Sequence, residues 1–486
     1  MLNSLLFWWT AACGGLGLVT AFLLTPVVCD WSRRFQLTDR ARQFHHTNMV
    51  DVPRLGGVVL MASFVAAVGM AVFFLGVNRL SQEVWVMILT SQAMFTLGFW
   101  DDIRPLGAKF KFGAQILIAS IAFHGGLQID TWTNFFTGSM QGLGILSWPV
   151  TVFWLVAVTN LINLMDGIDG LAAGACFMLM LLLAAVGWNS ANVTALLLAA
   201  GMAGGMGGFL FYNFPPARIF MGDGGAYFAG FLIAELSLLS SNKGTIAAAL
   251  VVPFIAMGLP IIDASFALVR RGLRGLPIFR ADRQHVHHRL VAMGLTQSRA
   301  VWILYAISAG FGILALGGFA YQGRLFPILF GILMVLMVLA ARFFGFVQDW
   351  YKVGYLLSNA IQSRRKTRFA LHLGRWLEME AERCENLDEL WNLFVFMLRR
   401  FGFTEARLVA GDGAVVRRMK VEGKHSGESW RNRILLNDER NGALELAIPA
   451  EVLPSDFCQL YAELAAEYWQ KAELRWRQIH PERSER

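Results

Sequence analysis

Charge is scarce in this chain. Asp, Glu, Lys and Arg make up only 16% of 486 residues, against about a quarter in ordinary soluble domains. With 56% hydrophobic residues, that scarcity excludes a conventional soluble enzyme and excludes disorder over most of the length. Cysteine is rare as well. None of the five (Cys13, Cys29, Cys176, Cys384, Cys458) stands in a C-x-x-C or other metal-ligand spacing, so no zinc module is expected and the thiols read as small buried hydrophobes. The sequence shows no internal repeat and no low-complexity segment. Its net charge of +8 does not call for nucleic acid, because a membrane protein collects Lys and Arg on its cytoplasmic side for topological reasons.

Long apolar runs are abundant. A bilayer core of about 30 Å takes roughly 20 apolar residues as helix. About eleven stretches approach that length: Leu2–Val28, Leu55–Val77, Val84–Trp100, Phe112–Phe123, Leu143–Leu161, Ile168–Trp188, Val193–Tyr212, Ala226–Leu239, Ile246–Val269, Ala300–Tyr321 and Phe326–Phe344. No Lys or Arg precedes Trp31 and the first run exceeds a signal-peptide core, so it is expected to be a retained helix. Alternate loops hold 16 Lys and Arg, from Arg33 to Arg299, against Arg79, Lys243 and Arg324 on the other side. That bias puts the N-terminus outside and the basic loops in the cytoplasm.

The expected fold is therefore an all-α polytopic membrane protein of about 11 transmembrane helices over residues 1–346. A basic linker over 347–368 leads to a cytoplasmic α+β domain over 369–486. The expected location is the inner, cytoplasmic membrane. In the tail, the pattern predicts an amphipathic helix (Arg364–Phe401), four strands (Ala406–Val409, Val415–Val421, Ile434–Asn437, Leu444–Ile448) and a closing helix (Ser455–Ile479). The order resembles part of a GAF-type sensory domain; it carries no ligand motif and suits a structural or dimerising appendage, so a homodimer is allowed.

Ionisable residues next to apolar helices are functional candidates by default. Here they gather in the loops already inferred to be cytoplasmic. Asp101 and Asp102 end the third run, Asn160, Asn163, Asp166 and Asp169 join the fifth to the sixth, and Asp223 stands in a Gly-Asp-Gly-Gly sequence opening the eighth. Adjacent carboxylates repel, and holding them together favours a cation. The spacing by three from Asn160 to Asp166 puts oxygen ligands on adjoining parts of one helical face, and such ligands suit Mg²⁺ bound with substrate phosphates. Helix N–H groups after Gly222 would point at an anion. Helix capping is the competing role for Asp166 and Asp169 taken singly. The segment Arg270–Leu290 adds His285, His287, His288 and Arg289. Zinc lacks a Cys partner there, whereas Arg and His beside acidic metal-binding turns suit a diphosphate. An acidic metal site, a basic anion clamp and a hydrophobic wall at one bilayer face describe a reaction between a soluble phosphate compound and a lipid.

These residues resemble the polyprenyl-phosphate N-acetylhexosamine-1-phosphate transferase superfamily. The blocks stand in family order: Pro53–Gly57 (PRLGG), Gly98–Asp102 (GFWDD), Asn160–Leu171 (NLINLMDGIDGL), Phe220–Asp223 (FMGD) and His285–Leu290 (HVHHRL). The resemblance implies transfer of a sugar-1-phosphate from a UDP-N-acetylhexosamine to undecaprenyl phosphate, with release of UMP and with Mg²⁺ as cofactor, Mn²⁺ being an expected substitute. Asp223 and Asn163 would hold the metal. Asp101 would lie near the attacking lipid phosphate as base or orienter, supported by Asp102. Lys111, with Lys109 as the alternate, would neutralise the lipid phosphate. Asn160, Asp166, Asp169 and Arg218 would line the donor site, and His285, His287, His288 and Arg289 would meet the sugar diphosphate. Ala226 departs from the Ser frequent after the G-D-x-G turn. The H-x-H-H run is more like the N-acetylglucosamine branch than the branch using UDP-MurNAc-pentapeptide.

Two other classes compete. A secondary transporter would place its charges near the bilayer midplane in repeated halves, whereas these acids sit at helix ends. An intramembrane prenyltransferase wants a second Asp-rich cluster, and Arg104 and Pro105 follow the Asp pair instead.

Overall fold

The computed structural model describes residues 2–34, 52–133, 139–240, 253–258, 293–320, 353–410, 414–420, 429–436, 441–449 and 455–480, with single positions at 261, 290, 328, 331, 332, 335 and 339. Two compact units emerge: Met1–Leu268 with Ala281–Gln348, and Val269–Arg280 with Asp349–Arg486.

In the first unit the described helices are α1 (Leu2–Arg34), α2 (Gly56–Leu75), α3 (Gln82–Ile103), α4 (Ala108–His124), α5 (Ser147–Met165), α6 (Leu171–Asn189), α7 (Val193–Asn213), α8 (Gly222–Leu239) and α9 (Gln297–Ala320). Between α4 and α5 a short antiparallel hairpin pairs β1 (Thr131–Thr133) with β2 (Met140–Gly142). Among the described residues six spans are long and apolar enough to cross a membrane, in α1, α2, α5 with the short turn before it (Gly144–Met165), α6, α7 and α9. The chain is a multi-pass membrane protein. The expected runs Ile246–Val269 and Phe326–Phe344 fall mostly outside the described residues. With no water in the bilayer core, a crossing backbone must satisfy its own polar groups, which the six described spans do as helices, and small residues let those helices approach. A Cβ on Gly17 of α1 would strike the Gly201 carbonyl of α7, the close approach expected where small residues face each other.

Two boundaries differ from the sequence expectation. α4 begins at Ala108, four residues before the expected Phe112, which makes Lys109 and Lys111 part of its first turn. α8 begins at Gly222, so the Gly-Asp-Gly-Gly sequence is the first helical turn itself.

The second unit contains α10 (Val353–Glu380), α11 (Leu387–Phe401), β3 (Glu405–Ala410), β4 (Val415–Lys420), β5 (Ser429–Leu435), β6 (Asn441–Pro449) and α12 (Ser455–Ile479). Its sheet is antiparallel in the order β4-β3-β6-β5. Leu408, Leu444, Leu446 and Ile448 are buried in one core with Trp391, Phe394 and Trp469. The single helix expected over Arg364–Phe401 is two helices. Asn386 starts the second, its side chain accepting the Glu389 N–H at 2.8 Å, while Glu389 accepts the Glu385 N–H at 2.9 Å. This reciprocal cap resembles the capping box, which the amphipathic pattern masks.

Candidate active site

From α1 to α8 the helices alternate in direction, and the ends of α3 and α5 come to the same face as the starts of α2, α4 and α8. The start of α2 is stitched to the segment before α8: Phe220 N–H donates to the Pro53 carbonyl at 2.8 Å, Gly56 N–H to Phe220 at 3.0 Å and Gly57 N–H to Met221 at 3.0 Å. The PRLGG and FMGD blocks thus form one local structure. Glycine is required there. Gly222 has φ +73°, and a Cβ on it would collide with the Arg54 carbonyl; a Cβ on Gly98 of α3 would collide with the Asp223 carbonyl. The first absence lets the start of α8 sit on the segment before α2, and the second lets α3 and α8 touch backbone to backbone.

Asp102 closes this contact. Its Oδ1 accepts the Asp223 N–H and its Oδ2 the Gly224 N–H, each at 2.9 Å. Two of the otherwise unpaired N–H groups of α8 are thereby capped by a carboxylate 121 residues away in sequence. The anion expected at this helix start is the chain's own Asp102, which corrects the expectation that these N–H groups face a ligand.

Asp101, one residue earlier, turns to the other side. Its Oδ1 accepts the Leu106 N–H at 2.6 Å and its Oδ2 accepts from Lys111 Nζ at 2.7 Å. The same ammonium reaches Asp223 Oδ2 at 3.3 Å and lies over the Tyr227 ring, 6.0 Å from its centroid. The Asp101 and Asp223 carboxylates thus share one ammonium. Three helix ends therefore bring two carboxylates and one lysine to a single point. The side chains of Asp101, Lys111 and Asp223 keep 11%, 22% and 30% exposure, so the point is reachable from outside.

These groups sit beyond the apolar stretches, and their acidities diverge. Burial pushes Asp101 up, but hydrogen bonds involving Asp223, Lys111 and the Leu106 N–H outweigh it and hold the carboxyl below its usual value. Asp223 is pushed up to about 6, by burial and by the neighbouring Asp101, against the pull of Lys111. Burial and the Asp223 charge push Asp102 up to about 7, against its two N–H bonds. Asp166 is raised by burial and by the charges of Asp223 and Asp102, with Arg54 opposing. Four carboxyls that raise or lower one another form an excess of negative charge, which favours a bound cation.

The remaining candidates divide. Asp166 ends α5 within electrostatic reach of Asp102, Asp223 and Arg54. Asn163, half-buried, lies one turn before it, its carbonyl accepting the Asp166 N–H at 3.2 Å. Asn160 faces α4 instead, donating to Gln115 Oε1 at 2.7 Å and to the Val156 carbonyl at 2.8 Å. Asp169 is buried and accepts the Ala217 N–H at 3.0 Å, tying the loop before α6 to the loop before α8. Lys109 is exposed. Arg218 is exposed beside α1, its carbonyl 3.8 Å from Cys29 Sγ. His285, His287, His288 and Arg289 lie outside the described residues.

Sequence reasoning passed over Arg54, Tyr227 and Glu235. Tyr227 was legible as the residue one turn after Asp223, and Glu235 as an acid inside an apolar run.

Among the described residues no three His, Cys, Asp or Glu side chains are gathered closely enough to ligate one ion. Mg²⁺ does not need them, since it usually takes one or two carboxylates and completes its shell with water and substrate phosphate. Paired carboxylates with partial exposure fit that demand.

Comparison with known proteins gives the class. Residues 84–241 match the family described as glycosyl transferase family 4. The chain is 34% identical over 339 residues, 69% of its own length and 92% of the other's, to a Bacillus subtilis protein named "Probable undecaprenyl-phosphate N-acetylglucosaminyl 1-phosphate transferase". The chain belongs to the polyprenyl-phosphate N-acetylhexosamine-1-phosphate transferase family. Other members of this family are similar over less of this chain. A phospho-N-acetylmuramoyl-pentapeptide-transferase of Heliobacterium modesticaldum is 31% identical over 60% of this chain and 93% of that one. A decaprenyl-phosphate N-acetylglucosaminephosphotransferase of Mycobacterium tuberculosis is 30% identical over 59% of this chain and 77% of that one. The matched stretch 84–241 contains Asp101, Asp102, Lys111, Asp166 and Asp223.

Proposed function

We propose that this transferase moves N-acetylglucosamine-1-phosphate from UDP-GlcNAc to undecaprenyl phosphate, releasing UMP and starting a cell-envelope polysaccharide on its lipid carrier. The observation that carries this reading is the meeting of Asp101, Lys111 and Asp223 at one helix-end face of a multi-span protein. The H-x-H-H sequence and the Bacillus subtilis relative support the donor; the phospho-N-acetylmuramoyl-pentapeptide-transferase relatives make UDP-MurNAc-pentapeptide the competing one. The Lys and Arg bias supports a cytoplasmic face for the site, with the N-terminus outside, about eleven crossings and the inner membrane as location.

In the reaction an oxygen of the lipid phosphate attacks the β-phosphorus of the donor, the bond from that phosphorus to the α–β bridging oxygen breaks, and UMP leaves. The lipid phosphate is largely dianionic near neutral pH, since its second pKa is about 6, so it needs little help as a nucleophile. It needs its charge offset, which the Lys111 ammonium can do. Asp101, its carboxyl held below the usual value by hydrogen bonds involving Asp223, Lys111 and the Leu106 N–H, is a poor proton acceptor and serves to orient that ammonium. Asp102 fixes the start of α8 and with it Asp223. Asp223 and Asn163 would hold Mg²⁺, which when bound neutralises developing phosphoryl charge, and Asp166, within electrostatic reach of Asp223, would order the donor pocket.

The test is a donor panel. Purified protein with Mg²⁺ and undecaprenyl phosphate is expected to release UMP and form a lipid-linked sugar with UDP-GlcNAc. Product with UDP-MurNAc-pentapeptide alone would correct the donor, and no UMP with any donor would refute the reaction.

A further inference from the structure

Glu235 lies on α8 twelve residues beyond Asp223, about 18 Å along the helix axis at 1.5 Å per residue, and is wholly buried. Its carboxyl is met from α3. Thr90 Oγ1 stands 2.6 Å from Oε1 and Ser91 Oγ 2.5 Å from Oε2. Thr90 Oγ1 is also 2.6 Å from the Val86 carbonyl of its own helix.

Proton counting decides the state of this group. A hydroxyl carries one proton, while a carbonyl and an ionised carboxylate can only accept. One hydroxyl in two short contacts with two acceptors therefore lacks a proton, and Glu235 is the group able to bring it. The acid O–H donates to Thr90 Oγ1, the Thr90 hydroxyl donates to Val86, and the Ser91 hydroxyl donates to the second carboxyl oxygen. All the polar atoms are then matched donor to acceptor, as a buried network in apolar surroundings requires.

The location gives this network a purpose. α3 runs toward the reaction face and α8 away from it. They are pinned near that face by Asp102 on the Asp223 and Gly224 N–H groups, and pinned again by Glu235 on Thr90 and Ser91. The pins are eleven to twelve residues apart on both helices, so they share one register. We propose that Glu235 is a positioning residue, held as a neutral acid, that sets the register of α8 against α3 and so places Asp223 against Asp101 and Lys111. This rests on the reading that those three groups carry the reaction.

The neutral acid makes a specific demand on substitutions. Glutamine offers an N–H donor to Thr90 and a carbonyl acceptor to Ser91, the pattern of a protonated carboxyl; it cannot replace a carboxylate between two donors. Full-length Glu235→Gln, Glu235→Leu, Ser91→Ala and Asp223→Ala are compared in phospholipid nanodiscs by UMP release, with kcat and donor KM separated. Glu235→Gln is expected to keep kcat within about threefold, and Glu235→Leu to lose about ten- to a hundredfold in kcat at nearly constant KM, as for a slightly displaced catalytic group. Equal loss in Gln and Leu overturns the neutral acid, and full kcat in Leu overturns the positioning role. Should Glu235→Leu not fold, Ser91→Ala replaces it: a lower kcat at constant KM supports the proposal, while a lower melting temperature with unchanged kcat per folded molecule overturns it. Infrared difference spectra of wild type against Glu235→Gln give a second readout, with a protonated carboxyl band expected and its absence contradictory. Full activity in Asp223→Ala would count against the site itself. Loss there beside an unaffected Glu235→Leu would count against this proposal alone.

Discussion

Replacing Asp102 with Asn should reduce activity through the start of α8 and not through loss of a base. The native carboxylate accepts two N–H groups at 2.9 Å, one on each oxygen. An amide turns its NH₂ toward one of them, so one charge-assisted bond is lost and two donors face each other. Bonds to charged groups contribute about 1.5–3 kcal/mol, and losing a negative charge at a helix N-terminus adds about 0.3–1 kcal/mol. Together the start of α8 should weaken by about 2–4 kcal/mol. The loosened N–H belongs to Asp223 or to Gly224 next to it, so the Asp223 carboxylate shifts, and a misplacement of about 1 Å costs on the order of a hundredfold in kcat/KM. The assay is UMP release above pH 7, where Asp102, pushed up to about 7 by burial and by Asp223, is ionised. As pH falls through that value the wild type gains the proton and loses its charge advantage, so the gap between the two proteins should narrow. Wild-type kcat/KM and melting temperature in Asp102→Asn would refute the capping role. Inactivity as deep as that of Asp223→Ala would refute it in the other direction, by giving Asp102 a part in the chemistry.

Lys111→Gln leaves Asp101 and Asp223 facing each other without their cation; acceptor KM should rise and kcat fall, with stability changed by only about 1 kcal/mol because the pair is partly exposed. Lys109→Gln, at an exposed position, should stay near wild type in the same UMP assay. Gly98→Ala puts a Cβ against the Asp223 carbonyl and should cost about 1–3 kcal/mol from overpacking, read as a lower melting temperature together with lost turnover. The Mg²⁺ dependence should move with pH. Asp223 is raised to about 6, ionised above that value and protonated below it, so the Mg²⁺ needed for half-maximal rate should climb as pH drops below 6; a pH-independent requirement would remove Asp223 from the metal.

Much of the site was legible in the sequence because its carboxylates stand at the ends of apolar runs, where an acid is costly unless used. Asp101 and Asp223 were placed in this way and Lys111 by the family resemblance, and the structure brings the three together. The division of labour within the Asp pair was not legible. Neighbours in sequence diverge here because Asp101 meets Lys111 and Asp102 meets the backbone of α8, and that choice depends on the glycine-permitted crossing of α3 and α8. Asn160 shows the opposite failure: its spacing from Asn163 and Asp166 suggested one polar face, but α4 supplies Gln115 as its partner. Glu235 went unremarked because one acid barely alters the hydropathy of its run, and its partners Thr90 and Ser91 lie more than a hundred residues away. In the tail, the closing helix Ser455–Ile479 follows the amphipathic pattern from end to end, whereas the break before α11 rests on the Asn386 cap, a local bond that hydrophobic periodicity does not report.

The most direct test follows the donor's β-phosphorus. UDP-GlcNAc labelled there and in the sugar is incubated with the purified protein, Mg²⁺ and undecaprenyl phosphate. Both labels should enter the lipid in equal amounts, with one unlabelled UMP released for each, and neither should move in Asp223→Ala. Sugar label in the lipid without the phosphorus, accompanied by labelled UDP, would be ordinary glycosyl transfer and would contradict the reaction proposed for this site.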